Sequence, residues 1–260
     1  MNTSTCPQNA IKKIASSALL LGALAVFGVL SGCASGPNAN PRDPLEPFNR
    51  KVSDFNQVID HAVLKPVATG YRNVVPDLVR TGVSNFFSNL GDAWSAVNNV
   101  LQLKPLAAAE SLTRFGVNTL WGLGGILDVA SEMSLERHKE DFGQTLGRWG
   151  VPSGPYVVLP LLGPSTLRDT VALPVDVRGN LLSGVDDDAT RAGLAALHAV
   201  DVRSNLLRTD EMLDSAALDK YSFTRDAYLQ LRRNEVYDGN PPEEDQPAAP
   251  GAESAAPGGK

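Results

Sequence analysis

The residue with the clearest chemistry is Cys33, the last of Leu30-Ser31-Gly32-Cys33. A thiol directly after two small residues, at the end of an apolar run, suits signal cleavage followed by S-acylation. Sulfur is the one good nucleophile in that stretch. It reads as a bacterial lipobox. Lys12 and Lys13 form the positive flank, and residues 14–30 form the apolar segment, interrupted by Ser16, Ser17, Gly22 and Gly28. Seventeen residues is long for a signal and near the minimum for a span, so an uncleaved anchor helix is the alternative. After the cysteine the chain continues as Ala34-Ser35-Gly36-Pro37-Asn38-Ala39-Asn40-Pro41, without the charges or aromatics of a stop-transfer helix, which favours cleavage. Cys6 then leaves with residues 1–32, and the mature chain forms no internal disulfide. Acylation caps its one thiol, a liability in an oxidising compartment. Ala34 stands where lipoproteins kept in the inner membrane commonly carry Asp, which points to the outer membrane by analogy with sorting rules.

Other reactive signatures are missing. The sequence has no GxSxG nucleophile elbow, no HExxH, and no CxxC after processing. His61, His138 and His198 are widely spaced, and His138 sits in a charged run, residues 136–141, that reads as a solvated loop. Gly122-Leu123-Gly124-Gly125 resembles part of a dinucleotide GxGxxG, but Leu127 holds the third glycine position and no strand precedes it. A flexible or close-packed helix junction is the better reading. We therefore expect no catalytic residue, no metal site and no cofactor.

The elements that position these residues are read from periodicity. Residues 47–64 place Phe48, Val52, Phe55, Ile59 and Ala62 at helical spacing, with Lys65-Pro66 expected to end the helix. A short helix comes next, through Tyr71 and Arg72 to Pro76. Pro76-Asp77 opens a third, carrying Val79, Val83, Phe86, Phe87 and Leu90. Gly91-Asp92 is expected to break it and cap a fourth, which carries Trp94, Val97, Val100 and Leu101 and stops before Lys104-Pro105. Pro105 starts a fifth, running through Trp121. These are short helices with proline corners. Residues 151–164 carry four prolines and two glycines yet are strongly apolar. Such a loop packs inside or lies against lipid or a partner. Ser165-Thr166-Leu167-Arg168-Asp169 reads as a capped helix start. From Asp187 to Tyr237 the pattern is helical again. Period-2 alternation is nearly absent outside residues 156–159, so the fold class is all-α.

Composition sets further bounds. The precursor carries a net charge of −6, and loss of Lys12 and Lys13 brings the 228-residue mature chain to −8. That argues against nucleic acid and against generic attraction to anionic headgroups. Residues 33–42 read as a flexible tether and residues 43–237 as the helical domain. Residues 238–260 are acidic, rich in proline and glycine, and without a large apolar residue, so they are expected to be disordered.

Several segments together resemble the VacJ/MlaA family of outer-membrane lipoproteins. They are Asp43-Pro44-Leu45-Glu46-Pro47-Phe48-Asn49-Arg50, Lys65-Pro66-Val67-Ala68, Gly82-Val83-Ser84-Asn85-Phe86, and Thr113-Arg114-Phe115 with Asn118-Thr119. The series continues with the 122–125 glycines and Asp128-Val129-Ala130, Phe142-Gly143-Gln144-Thr145-Leu146-Gly147, and Gly154-Pro155-Tyr156-Val157-Val158-Leu159-Pro160 with Leu167-Arg168-Asp169. Their order after a lipobox is specific, and they cover roughly residues 43–176. The resemblance implies retrograde phospholipid transport that maintains outer-membrane lipid asymmetry. It implies a ring-like assembly of short helices in the periplasmic leaflet, with a central lipid passage. Its implied partners are phospholipids, a trimeric outer-membrane porin and a soluble periplasmic lipid carrier. On that reading the passage or gating candidates are Phe48, Asn49, Asn85, Asn118, Gly124, Gly125, Tyr156, Arg168 and Asp169, with Cys33 as the lipid attachment. Asn89, Asn98 and Asn99 are further polar positions among aromatics. The plainer readings stay open. The asparagines cap helices or face solvent, Arg168-Asp169 is a local ion pair, and Phe48-Asn49 packs at a helix start. A structural lipoprotein docking on porins without moving lipid is the competing function.

Overall fold

The computed structural model describes residues 40, 42–216 and 219–242. The lipobox with Cys33, nearly all of the tether and the tail beyond residue 242 lie outside the described residues. Nine α-helices and one small sheet make up the described fold. In chain order they are α1 (Glu46–Ile59), a π-helical turn (Asp60–Leu64), α2 (Lys65–Val74), α3 (Asp77–Leu101), α4 (Pro105–Leu120), α5 (Val129–Glu132) and α6 (Phe142–Arg148). Then come β1 (Tyr156–Leu159), β2 (Gly163–Thr166), α7 (Leu167–Gly179), a 3₁₀ turn (Leu181–Gly184), α8 (Asp188–Ala216) and α9 (Lys220–Val236). The fold is all-α apart from the antiparallel β1–β2 hairpin, whose register pairs Tyr156 with Thr166 and Leu159 with Gly163.

The packing order closes on itself. α1 leads through the π turn into α2, which packs on α8. α8 touches the 3₁₀ turn, and that turn touches α7. α7 meets β2, and β1 returns to α1. The α3–α4 helical hairpin leans on this ring-like circuit through α8, α6 and the 3₁₀ turn, while α9 packs on α6 and β2.

Two expected breaks are not breaks. Pro66 does not end its helix. The chain stays helical from Glu46 to Val74, and Lys65 keeps right-handed helical angles directly before the proline. Proline lacks the N–H for one helical bond, and the wider π turn just ahead of it accommodates the mismatch. Gly91-Asp92 also lies inside a helix, since α3 runs unbroken for 25 residues. Asp92 there is a buried ion-pair partner rather than a cap. The corner at Pro76 is as expected, with Val75 extended and α3 starting at Asp77. So is the corner before Pro105, where Leu103 takes φ 60°. The charged run 136–141 is a loop as expected, with Glu136, Arg137 and Lys139 exposed, but it is not solvated throughout. Glu140 is buried, accepting from Gln102 Nε2 at 2.7 Å and Lys104 Nζ at 3.0 Å, and His138 pairs with Glu110.

Burial is inverted relative to a water-soluble helical domain. Among the described residues, twenty-one polar or charged side chains are buried against twelve apolar ones, and five of those twelve are alanines. Phe48, Phe55, Leu78, Leu106, Trp121 and Leu161 are meanwhile exposed. The amphipathic stripe of α1 is real, but Phe48 and Phe55 point outward while Asn49 is sealed inside.

Candidate functional site

The polar interior resolves into three networks, and the expected site residues divide among them. The first joins α1 to the hairpin. The Asn49 amide donates to Asp43 Oδ1 at 2.9 Å and to the Tyr156 carbonyl at 3.0 Å, and its Oδ1 accepts from Val158 N–H at 2.9 Å. One fully buried side chain thus serves β1 as a neighbouring strand would. Asp43 also accepts from the Tyr221 hydroxyl at 2.6 Å and from Arg225 Nη1 at 3.3 Å. Tyr156 is buried among Tyr221 and Tyr228, with ring centroids 6.2 and 6.1 Å away. Burial and the nearby Asp43 push its hydroxyl up to about 12, so it stays neutral at physiological pH. Phe48, the next residue to Asn49, is 54% exposed.

The second network clamps the glycine turn that follows α4, with side chains from both α3 and α4. Arg114, almost wholly buried, donates from Nη2 to both oxygens of Asp128 at 2.9 and 3.1 Å, and from Nη1 to the Leu135 carbonyl. Asn118, one helical turn on, donates to Asp128 Oδ1 at 3.0 Å and accepts from Ala130 N–H at 2.8 Å. From α3, Asn85 donates to the Ile126 carbonyl at 3.0 Å and Asn89 to Thr119 Oγ1 at 3.0 Å. Gly124 and Gly125 take φ of 73° and 96°. A Cβ on Gly125 would sit 2.6 Å from the Asn89 amide, so both the turn and the close approach require glycine there. Burial raises Asp128, but hydrogen bonds from Ser131 and Asn118 and the charge of Arg114 prevail and hold it at about 2. Asp92 is shared by Arg114 at 3.4 Å and Arg137 at 3.2 Å, yet its deep burial wins and pushes it up.

The third network ties α6, α7 and α9. Thr166 caps α7 by accepting from Asp169 N–H. Asp169 accepts from Arg168 Nε at 3.0 Å and from Arg232 Nε and Nη2 at 2.9 and 3.1 Å, and Arg232 also holds Asp141 at 2.6 Å. Burial raises both acids, but hydrogen bonds and charge from Arg232 outweigh it, so Asp141 and Asp169 are held below the usual carboxylate range. Arg168 and Arg232 line a cavity of about 900 Å³ with Arg42, Arg233, Pro152 and Val236 among its other walls.

The structure therefore gathers Asn49 with Tyr156, and Asn85, Asn118, Gly124 and Gly125 with one another, and Arg168 with Asp169. The first and third groups meet at Tyr228, whose ring faces Tyr156 and whose hydroxyl donates to Asp169 at 3.2 Å. The glycine turn stands apart on α3 and α4. Asn98 and Asn99 are buried as well. Asn98 accepts from Thr145 Oγ1 at 2.9 Å, and Asn99 donates to the Ser95 carbonyl. Arg114, Asp128, Arg232 and Tyr221 organise the networks and are not among the expected site residues. Arg114 does have a signal, as the one charge between Glu110 and Asp128.

The chain that builds this polar, ion-paired interior matches a known family. The profile of the MlaA lipoprotein family covers residues 41–235. The chain belongs to the MlaA lipoprotein family. An MlaA relative of Shigella flexneri, called an intermembrane phospholipid transport system lipoprotein, is 39% identical over 84% of this chain and 87% of its own. One of the same name from Haemophilus influenzae is 34% identical over 85% of this chain and 91% of its own. A solved structure described as the structural basis for maintenance of bacterial outer membrane lipid asymmetry superposes with a TM-score of 0.66 at 39% identity. It covers 76% of this chain and 99% of that one. Among the described residues no helix is long and apolar enough to cross a membrane.

Proposed function

We propose that this MlaA-family chain is an outer-membrane lipoprotein of intermembrane phospholipid transport. It removes mislocalised phospholipid from the outer leaflet and passes it to a soluble periplasmic carrier. The observation that carries the reading is the inverted burial in a family whose relatives bear that name. Such a body is at home in acyl chains, and among the described residues no helix is long and apolar enough to cross, so we place the body in one leaflet. In this reading Cys33 is the acylated N-terminus and residues 34–42 are the tether. Phe48 and the other exposed apolar side chains face lipid. The networks around Asn49, Asn85, Asn118, Gly124 and Gly125 hold the walls of a passage, and Arg168 and Asp169 lie beside its polar end. A trimeric porin is the neighbour in the membrane.

A strain lacking the gene tests this. Transport predicts excess phospholipid at the cell surface, read by amine-reactive labelling of phosphatidylethanolamine, and detergent sensitivity, with porin assembly normal. Cys33→Ala should not complement. Normal asymmetry with defective porin assembly would instead establish the docking lipoprotein.

A further inference from the structure

We propose that the arginine-lined cavity between the 150–155 loop, α7 and α9 binds a phosphate ester anion. Arg168 is only 7% exposed. Its Nε and Nη2 are spent on Asp169 at 3.0 Å, and its Nη1 has no protein partner among the described residues. That Nη1 lies over Gly147, where a Cβ would come within 2.5 Å of it, so the glycine keeps room for the guanidinium. Arg42, Arg232 and Arg233 share the lining with a single acid, Asp226, in a chain whose net charge is negative. The acids that fix Arg168 and Arg232, namely Asp141, Asp169 and Glu235, are not part of that lining.

The local chemistry selects the ligand. The N-terminus of the 13-residue helix α7 opens on the cavity at Thr166, and its dipole favours negative charge there. Its first amides are already taken, however. Leu167 N–H goes to the Pro155 carbonyl at 3.0 Å, Arg168 N–H to Ser153 at 3.1 Å, and Asp169 N–H to Thr166. Recognition therefore falls to the Nη1 of Arg168, with the charges of Arg42, Arg232 and Arg233 around it, and a guanidinium suits the oxygens of a phosphate. Val236 and Pro152 in the same lining suit the carbon skeleton of a glycerol ester, and about 900 Å³ accommodates a headgroup. The source of the phosphate is a lipid headgroup or free phosphate. The first deepens the transport reading and rests on it.

The test uses the full acylated protein in non-ionic micelles, titrated calorimetrically with sn-glycero-3-phosphoglycerol, inorganic phosphate and glycerol. The expected result is saturable binding of the phosphodiester, no binding of glycerol, and roughly tenfold weaker binding in Arg168→Lys, which keeps the charge on Asp169 but loses the fork. Tighter binding of the phosphodiester assigns a lipid headgroup, and equal or tighter binding of inorganic phosphate assigns free phosphate. If Arg168→Lys does not fold, Pro152→Trp fills the mouth from an exposed rim position and should abolish binding. No saturation by either anion overturns the site, as does unchanged affinity in a folded variant. Binding is read on purified protein, so its failure leaves the transport phenotype of the deletion strain to be judged separately.

Discussion

Arg114 and Asp128 show how a residue acquires its role here. A buried guanidinium without a partner would cost several kcal/mol, so Asp128 must ionise and stay ionised. Its folded value of about 2 lies below the ordinary 3.8. The stabilisation it adds is therefore complete above about 4 and is lost as the pH falls through 2. Thermal midpoints in micelles across pH 2–6 should show wild type well above Asp128→Asn at pH 6, with the gap closing towards pH 2. A gap that stays constant would refute the assignment. At this scale the sequence is half legible. The lone charge at Arg114 and the capped start at Thr166 can be read directly. The placement of Asn49 cannot, because its neighbour Phe48 has the stronger apolar signal and yet points outward. Periodicity reports that two faces differ; it does not report which one is buried.

The elements obey local rules where those rules concern the backbone. Proline corners at Pro76 and Pro105 and the non-helical 151–164 segment result from fixed φ and missing donors. Gly91 and Pro66 fail as breaks because neighbouring turns remain compatible with helix and because tertiary contacts pull Asp92 inward. The hairpin turn is a different case. Asn56 holds it, donating to the Leu159 carbonyl at 2.9 Å and accepting from Leu161 N–H at 2.8 Å, with Leu161 at φ 64° and 70% exposed. Left-handed backbone costs a leucine about 1 kcal/mol relative to glycine, whereas covering its side chain with acyl chains returns about 1.5–3 kcal/mol. If the tip faces lipid, Leu161→Gly should bind liposomes several-fold more weakly in flotation assays. A water-facing tip predicts the opposite balance, with unchanged flotation and a higher thermal midpoint.

For the molecule as a whole, the exterior outweighs the anchor. On the proposed reading, acyl chains on Cys33 secure attachment at about 0.8 kcal/mol per buried CH₂, and the exposed leucines, valines and aromatics add a lipophilic body. The mature chain made with Cys33→Ala should therefore still enter the detergent phase in cloud-point partitioning. Recovery in the aqueous phase would show that the apolar skin is covered in some other way. The all-α class, the proline corners and the ordered family segments are legible in the chain, because each depends on contiguous residues or on backbone geometry. Packing alone fixes which asparagines are internal pins, how Arg232 joins α6, α7 and α9, and that the polar side of this amphipathic fold turns inward. Those outcomes depend on partners tens of residues away and on the medium around the protein, and neither is encoded in local spacing.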